Sequence, residues 1–502
     1  MLALITKEAY SALFIGVLVG GLFTCGFAPV ATLDTILNDG LIAAIAANAG
    51  IFLFLVLLGI IVSLVNAAGG SAAFGRWAET HIKTHAGAQL ATFVLGILIF
   101  IDDYFNCLTV GSVMRPVTDG HKISRPKLAY LIDATAAPVC MIAPISSWAA
   151  AVSSTAEGLD TGMSGIELFV KAIPFNFYSL LTLVFVVAIS LMGFDYGKMS
   201  GFEIKAEHGD LIGNTEGVTS CEEVPATERG RVLDLIFPVI VLIIACVIGL
   251  IYAGGFFGGA CSGDFIAAFA NTDAFVGLPW GGIIALVLTV IYLVARKVLS
   301  FKEAMACVPK GFVAMVPPII ILTLAVSLKA MINSLGADVY VYNLMFAASE
   351  WLYSMLPAVI FVVACILAFA SGTSWGTFGI LIPIIVPVAQ AVDPDLVVVS
   401  LSATLAGSVF GDHCSPISDT TILSSAGAGC NHIEHVSTQL GYACIVAFCC
   451  FVGYVVAGFT KANLWWSLGS SLVLLLISVF ILHMLGNKRA AARETAAIGG
   501  NA

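Results

Sequence analysis

The chain has 502 residues, of which 60% are hydrophobic and only 10% charged, with a formal net charge of -10. Soluble chains carry roughly 25% charged residues, so this composition cannot furnish the water-facing surface that such a length demands. A nucleic-acid binder needs a basic footprint and a disordered chain needs few apolar residues, so both are excluded. With a mean hydropathy of +1.03, a polytopic membrane protein remains.

Apolar runs of about 20 residues cross a ~30 Å hydrocarbon core as helices. In chain order they predict spans near 9–27, 41–66, 128–155, 167–193, 232–255, 276–295, 312–333, 396–425, 437–460 and 464–485. The alternation of outer-membrane strands is absent, so the expected fold class is all-α. The first run follows Lys7 and carries no A-x-A site, which reads as a retained helix rather than a signal peptide. Residues 87–115 and 355–390 are also apolar but are interrupted by I-D-D-Y-F-N and S-G-T-S-W-G-T.

Loop charge orients these segments. Arg76 and Lys83 precede 87–115, and Arg115, Lys122, Arg125 and Lys127 follow it, so both flanks belong inside. Asp338, Glu350, Asp393 and Asp395 flank 355–390, and no Lys or Arg lies between 330 and 460, so both of its flanks belong outside. Each segment therefore reads as a re-entrant hairpin. The basic residues of 194–231, 296–310 and the tail fall inside, while 256–275 suits the outside. The expectation is a multi-pass protein of the cytoplasmic (inner) membrane with both termini cytoplasmic. Lys171 and Lys329 sit near outer helix ends, from which they can snorkel.

The order of elements before residue 194 recurs after 275 with opposite orientation. The expected units are a first inverted repeat over 1–193 and a cytoplasmic loop with a linking helix over 194–275. A second repeat over 276–460 and a terminal helix and tail over 461–502 complete the chain. S-A-A-F-G-R-W-A-E-T-H-I-K and V-Y-N-L-M-F-A-A-S-E-W-L-Y fit interfacial helices on opposite faces. A-P-I-S-S at 143–147 matches S-P-I-S-D at 415–419. Straight helices of ~28 residues would run ~42 Å, so breaks are expected near Pro138–Pro144 and Gly411–Pro416. Inverted repeats with discontinuous helices are the architecture of secondary transporters, with sites where the repeats meet.

Carboxylates within apolar segments are expensive and mark function by default. They are Asp102, Asp103, Asp133, Asp412 and Asp419. Asp102 and Asp103 lie at the first hairpin tip beside Asn106. Neighbouring carboxylates hinder each other's ionisation and a bound Na⁺ reverses that, which suits proton–sodium exchange; helix capping is the plainer alternative. Asp133, in L-I-D-A-T-A-A-P with Thr135, is expected to carry a proton. G-D-H-C-S-P-I-S-D-T-T at 411–421 gathers the oxygens of Asp412, Ser415, Ser418, Asp419 and Thr420 opposite Ser371, Thr373 and Ser374 of the second tip. By symmetry, Ser146 and Ser147 face the first tip. Trp148 and Trp375 are candidate pocket aromatics, with plain packing as the alternative. His413 is expected as a pH-responsive partner of Asp412.

His413, Cys414, Cys430, His432 and His435 lack zinc-site spacing, so no transition-metal site is expected. The 13 cysteines are an odd count, mostly within apolar spans, and imply no disulfide framework. Without a nucleophile–base pair or a Walker motif, neither an enzyme nor a primary pump is expected.

G-D-H-C-S-P-I-S-D-T-T-I-L-S-S, together with F-I-D-D-Y-F-N…R-P-V-T-D and L-I-D-A-T-A-A-P-V…A-P-I-S-S-W, resembles the signature of the NhaC-type sodium/proton antiporter family, over roughly residues 85–485. The resemblance implies the ion-transporter superfamily fold, an elevator-type scaffold with a mobile transport domain, usually a homodimer. It also implies Na⁺ sites between hairpin tips and broken-helix loops, here 102–106 with 143–147 and 371–374 with 415–420. No cofactor is expected; Na⁺ is the transported or coupling ion, and the partners are Na⁺, H⁺, the bilayer and a second copy. Exchange of Na⁺ for H⁺ is the first functional expectation. Relatives exchange organic acids, so the alternative is a Na⁺- or H⁺-coupled carrier of a small carboxylate or amino acid. No Arg is placed to grip such a solute, although hydroxyls and helix N-termini could serve.

Overall fold

A computed structural model describes residues 9–156, 159, 161–213, 229–258, 261–336 and 353–499. Every regular element among them is helical. α1 (Ala9–Thr24) turns at Gly26 and Phe27, both at positive φ, into the continuous α2 (Pro29–Ala67). α3 (Gly70–His81), α4 (His85–Leu98), α5 (Asp103–Gly120) and α6 (Arg125–Asp133) follow. After the single turn α7 (Ala137–Cys140) come α8 (Ser147–Ala156), α9 (Gly165–Ala172) and α10 (Phe177–Met192). The middle of the chain holds α11 (Gly197–Glu207), α12 (Leu233–Ala253), α13 (Phe265–Ala270), α14 (Ala274–Ala295), α15 (Phe301–Ala314) and α16 (Val316–Ser334). Then come α17 (Leu356–Ser371), α18 (Ser374–Val392), α19 (Val397–Cys414), α20 (Asp419–Ala428), α21 (His432–Phe459) and α22 (Leu464–Gly499).

By length and composition, 7 of the described helices can cross a membrane, or 8 if the pair bent by 45° around Asn176 counts as one span. Sequence runs predicted ten. The difference arises partly because 128–155 is divided into α6, α7 and α8, each too short to span alone. Helix also extends into expected loops. α2 begins at Pro29 and passes through a π-helical stretch, Thr35–Ile42. α15 starts at Phe301 because Ser300 and Glu303 form a capping box, and it exposes Phe301, Phe312 and Val313. α11 and α13 lie within the other two expected loops. Residues 71–81 of the stretch at 71–83 lie in α3, whereas nearly all of the matching stretch at 341–353 lies outside the described residues.

The helices pack in two groups. In one, α2 lies against α14 and α15, α12 against α14, and α1 against α16. In the other, α17, α19 and α21 pack together with α10 and α22, while α5 and α6 pack against α20. Close approach depends on glycine: a Cβ on Gly111 of α5 would lie 2.5 Å from the Gly427 carbonyl carbon of α20. The groups meet where α8 lies against α2, α14 and α16, and where α18 lies against α16. All ten residues of α8, Ser-Trp-Ala-Ala-Ala-Val-Ser-Ser-Thr-Ala, are buried, and Ser154 donates a hydrogen bond to Asn48 of α2. Outward apolar residues such as Ile283, Val287 and Ile291 form the lipid-compatible surface.

Candidate ion site

Helix breaks at 99–102, 134–146, 372–373 and 415–418 converge on a buried polar core. Irregular backbone at membrane depth is tolerated only where protein or a cavity satisfies it, and here side chains do so. In the first break Asp102, Asp103 and Asn106 are all buried. The Asn106 amide donates to the carbonyls of Gly96 at 2.7 Å, Ile99 at 3.0 Å and Thr135 at 3.3 Å. The Ser147 N–H donates to the Ile101 carbonyl at 2.9 Å. Together these bonds fasten the 99–102 break to the 134–146 break. Thr135 and Ser146 use their hydroxyls on nearby carbonyls, Leu131 at 2.8 Å and Cys140 at 2.7 Å. By contrast, Ser147 Oγ and Asn106 Oδ1 are buried without a hydrogen-bond partner among the described residues. Such orphans are uncommon in folded proteins, and both are oxygens able to ligate a hard cation.

Asp103 takes a different position. Its Oδ2 accepts the indole N–H of Trp148 at 3.0 Å and that of Trp375 at 3.4 Å. The two candidate aromatics therefore share one carboxylate oxygen, with ring centroids 5.8 Å apart.

At the second tip, Gly372 has φ +67, and a Cβ there would lie 2.6 Å from the Ile417 carbonyl oxygen. The tip thus presses against the 415–418 break, a contact that requires glycine. Thr373 caps α18, and Ser371 pairs with Thr377 at 3.3 Å. Ser374 donates to Asp412 Oδ2 at 2.9 Å, and Thr420 donates to the same oxygen at 3.1 Å. Ser418 Oγ lies 3.2 Å from Thr420 Oγ1, and Ser415 Oγ accepts the Ile417 N–H at 3.4 Å. Asp412 is therefore surrounded by hydroxyl oxygens. Asp419 opens α20, and its side chain lies outside the described residues.

Asp133 has other company. Thr421 donates to its Oδ2 at 3.1 Å, as does the Gln439 amide at 2.7 Å. His435 Nε2 lies 3.4 Å from Oδ2, and His413 Nε2 lies 3.8 Å from Oδ1. His413 Nδ1 meets the Tyr178 hydroxyl at 3.1 Å. Here the structure corrects the sequence reading, since His413 faces Asp133 rather than its neighbour Asp412. Successive helical residues point about 100° apart, so 412 and 413 face different partners. Across the break, 420 and 421 divide in the same way.

Sequence reasoning missed Tyr178, Thr421 and Gln439, and weighed His435 only as a zinc ligand. The available signal was His435 with Gln439, a polar pair at i,i+4 and hence on one helix face.

Residues 139–459 match the model described as the Na+/H+ antiporter family. An uncharacterized protein of Haemophilus influenzae is 37% identical over 476 residues, covering 92% of this chain and 90% of its own length. The malate-2H(+)/Na(+)-lactate antiporter of Bacillus subtilis is 26% identical over 247 residues, 45% of this chain and 51% of that protein. Among solved structures, the YdaH transporter of Alcanivorax borkumensis has a similar fold, with TM-score 0.59 at 12% identity over 89% of this chain and 98% of that one. With a family match over more than half its length, this multi-span membrane chain belongs to the Na⁺/H⁺ antiporter family.

Proposed function

We propose that the protein is a secondary active transporter exchanging Na⁺ for H⁺ across the cytoplasmic membrane. The observation that carries this reading is the pair of unlike carboxylates, Asp412 and Asp133, each bonded by one of the adjacent residues Thr420 and Thr421. Asp412 is bonded by Ser374 and Thr420, whose oxygens suit a hard cation. Asp133 is faced by two imidazoles, a class of group that exchanges protons, and accepts an amide N–H; none of these ligates Na⁺ while it donates. Thr420 serves the first carboxylate and Thr421 the second, so a Na⁺ that reorients Thr420 also moves the donor to Asp133. That adjacency makes occupancy of the two sites interdependent, as exchange requires. Asp102 and Asn106 at the first tip, with Ser147 facing them from α8, provide oxygens for a second Na⁺. The two packing groups fit a scaffold and a transport body, built from repeats over 1–193 and 276–460, in an elevator-type homodimer with cytoplasmic termini.

Purified protein in proteoliposomes, with a lumenal pH dye and ²²Na⁺, tests this reading. An imposed Na⁺ gradient should drive protons the opposite way, and no proton movement under any Na⁺ gradient overturns it. A second reading, Na⁺- or H⁺-coupled exchange of a small carboxylate, is favoured by the Bacillus subtilis relative named for malate and lactate. Accumulation of labelled malate or lactate without Na⁺-driven proton flux in the same vesicles would select it.

A further inference from the structure

A second buried ionic group lies one helix length from Asp133. Lys127, in the first turn of α6, has a side chain only 1% exposed and pairs with Asp195, itself 11% exposed. The same Asp195 oxygen accepts the Tyr442 hydroxyl. Lys127 Nζ sits 5.3 Å above the Tyr442 ring, and that ring packs against Tyr130 at 4.8 Å and Tyr196 at 4.7 Å. Buried ion pairs contribute little to stability, so stability alone does not account for this one.

This group is continuous with the Asp133 cluster on both helices. On α21, His435, Gln439 and Tyr442 fall at i, i+4 and i+7, which is one face. The first two meet Asp133 and the third meets Asp195. On α6, Tyr130 lies three residues from Lys127 and three from Asp133. Its hydroxyl is buried without a hydrogen-bond partner among the described residues, and its ring packs on that of Tyr442, whose hydroxyl meets Asp195. A hydroxyl both donates and accepts, and this one is spent on nothing structural.

We propose that Asp195, Tyr442 and Tyr130 form the proton route between Asp133 and the end of the bundle where α6 begins, with Lys127 positioning Asp195. The proposal rests on Asp133 being the proton site. Asp195 takes a proton from water and donates it to the Tyr442 oxygen, while that hydroxyl turns away from Asp195 and releases its own proton. Tyr130, whose hydroxyl bonds to neither neighbour in this structure, takes that proton up and releases its own toward Asp133 through bridging water, so each tyrosine ends as it began and only Asp133 has gained a proton. The charged and titratable groups facing this route are Lys127 from α6, Tyr196 beside Asp195, and His435 and His413 at Asp133.

Tyr130→Phe and Tyr442→Phe keep the rings and remove only the hydroxyls. In proteoliposomes, Na⁺-driven proton flux should fall about tenfold or more in each, while ²²Na⁺/Na⁺ exchange stays at the wild-type rate. Asp195→Asn should slow proton flux likewise and shift its pH profile. Wild-type proton flux and pH profile in both Phe variants overturns the route, and so does a parallel loss of Na⁺/Na⁺ exchange, which marks a structural role. If the wild-type chain itself moves no protons, the parent reading fails instead.

Discussion

Asp103 accepts the indole N–H of Trp148 at 3.0 Å, and the oxygen that does so also takes Trp375. One carboxylate thereby ties the first break to α8 and to the second tip.

Asp103→Ala should lower stability by about 1–3 kcal/mol, the cost of leaving buried donors unpaired. Thermal unfolding in detergent checks this, and Trp148→Phe should shift the midpoint in the same direction. Asp102→Asn should weaken the Na⁺ dependence of transport. Equal midpoints for wild type and Asp103→Ala would remove the structural assignment.

Asp133→Asn retains an acceptor for Thr421 and Gln439 but holds no exchangeable proton. Na⁺-driven alkalinisation or acidification of vesicles should vanish in this variant. Coupled proton movement at the wild-type rate would show that the proton binds elsewhere.

Thr420→Val and Thr421→Val separate the two sites. Each removes one hydrogen bond to a carboxylate, worth about 1.5–3 kcal/mol, or roughly tenfold in an equilibrium constant per 1.4 kcal/mol. Thr420→Val should raise the KM for Na⁺ with little change in pH profile. Thr421→Val should shift the pH profile with little change in KM. Identical behaviour of the two variants would contradict separate sites.

Gly111→Val places a branched side chain where even a Cβ would be 2.5 Å from the Gly427 backbone. Overpacking of this kind costs about 1–3 kcal/mol or more. A lower midpoint and reduced yield of folded protein are expected, whereas Gly120→Val, with nothing within 4 Å of its Cβ position, should be mild.

The sequence made the breaks legible because prolines, glycines and carboxylates stand out against apolar runs. Asp133 and Asp412 were picked out on that basis and Trp148 and Trp375 as their aromatic neighbours, and the structure buries all four. Their partners were not, because periodicity reports one helix at a time. Thr421 and Gln439 reach Asp133 across 288 and 306 residues, and the Trp375–Asp103 bond crosses 272. Lys127 read as one more loop-flanking base, since nothing local shows that α6 buries it against Asp195. The helix beginning at Phe301 was hidden because basic residues there suited a loop equally well.

α8 has a mechanical consequence. Helices interlock through ridges of long side chains, and Ala149, Ala150 and Ala151 supply none. Where α8 crosses α2, α14 and α16, such small side chains let the helices lie close, and the Ser154–Asn48 hydrogen bond ties that contact. The contact resists growth for a reason written in composition: on an all-buried helix, any side chain longer than a methyl or a small hydroxyl would have to push a neighbour aside.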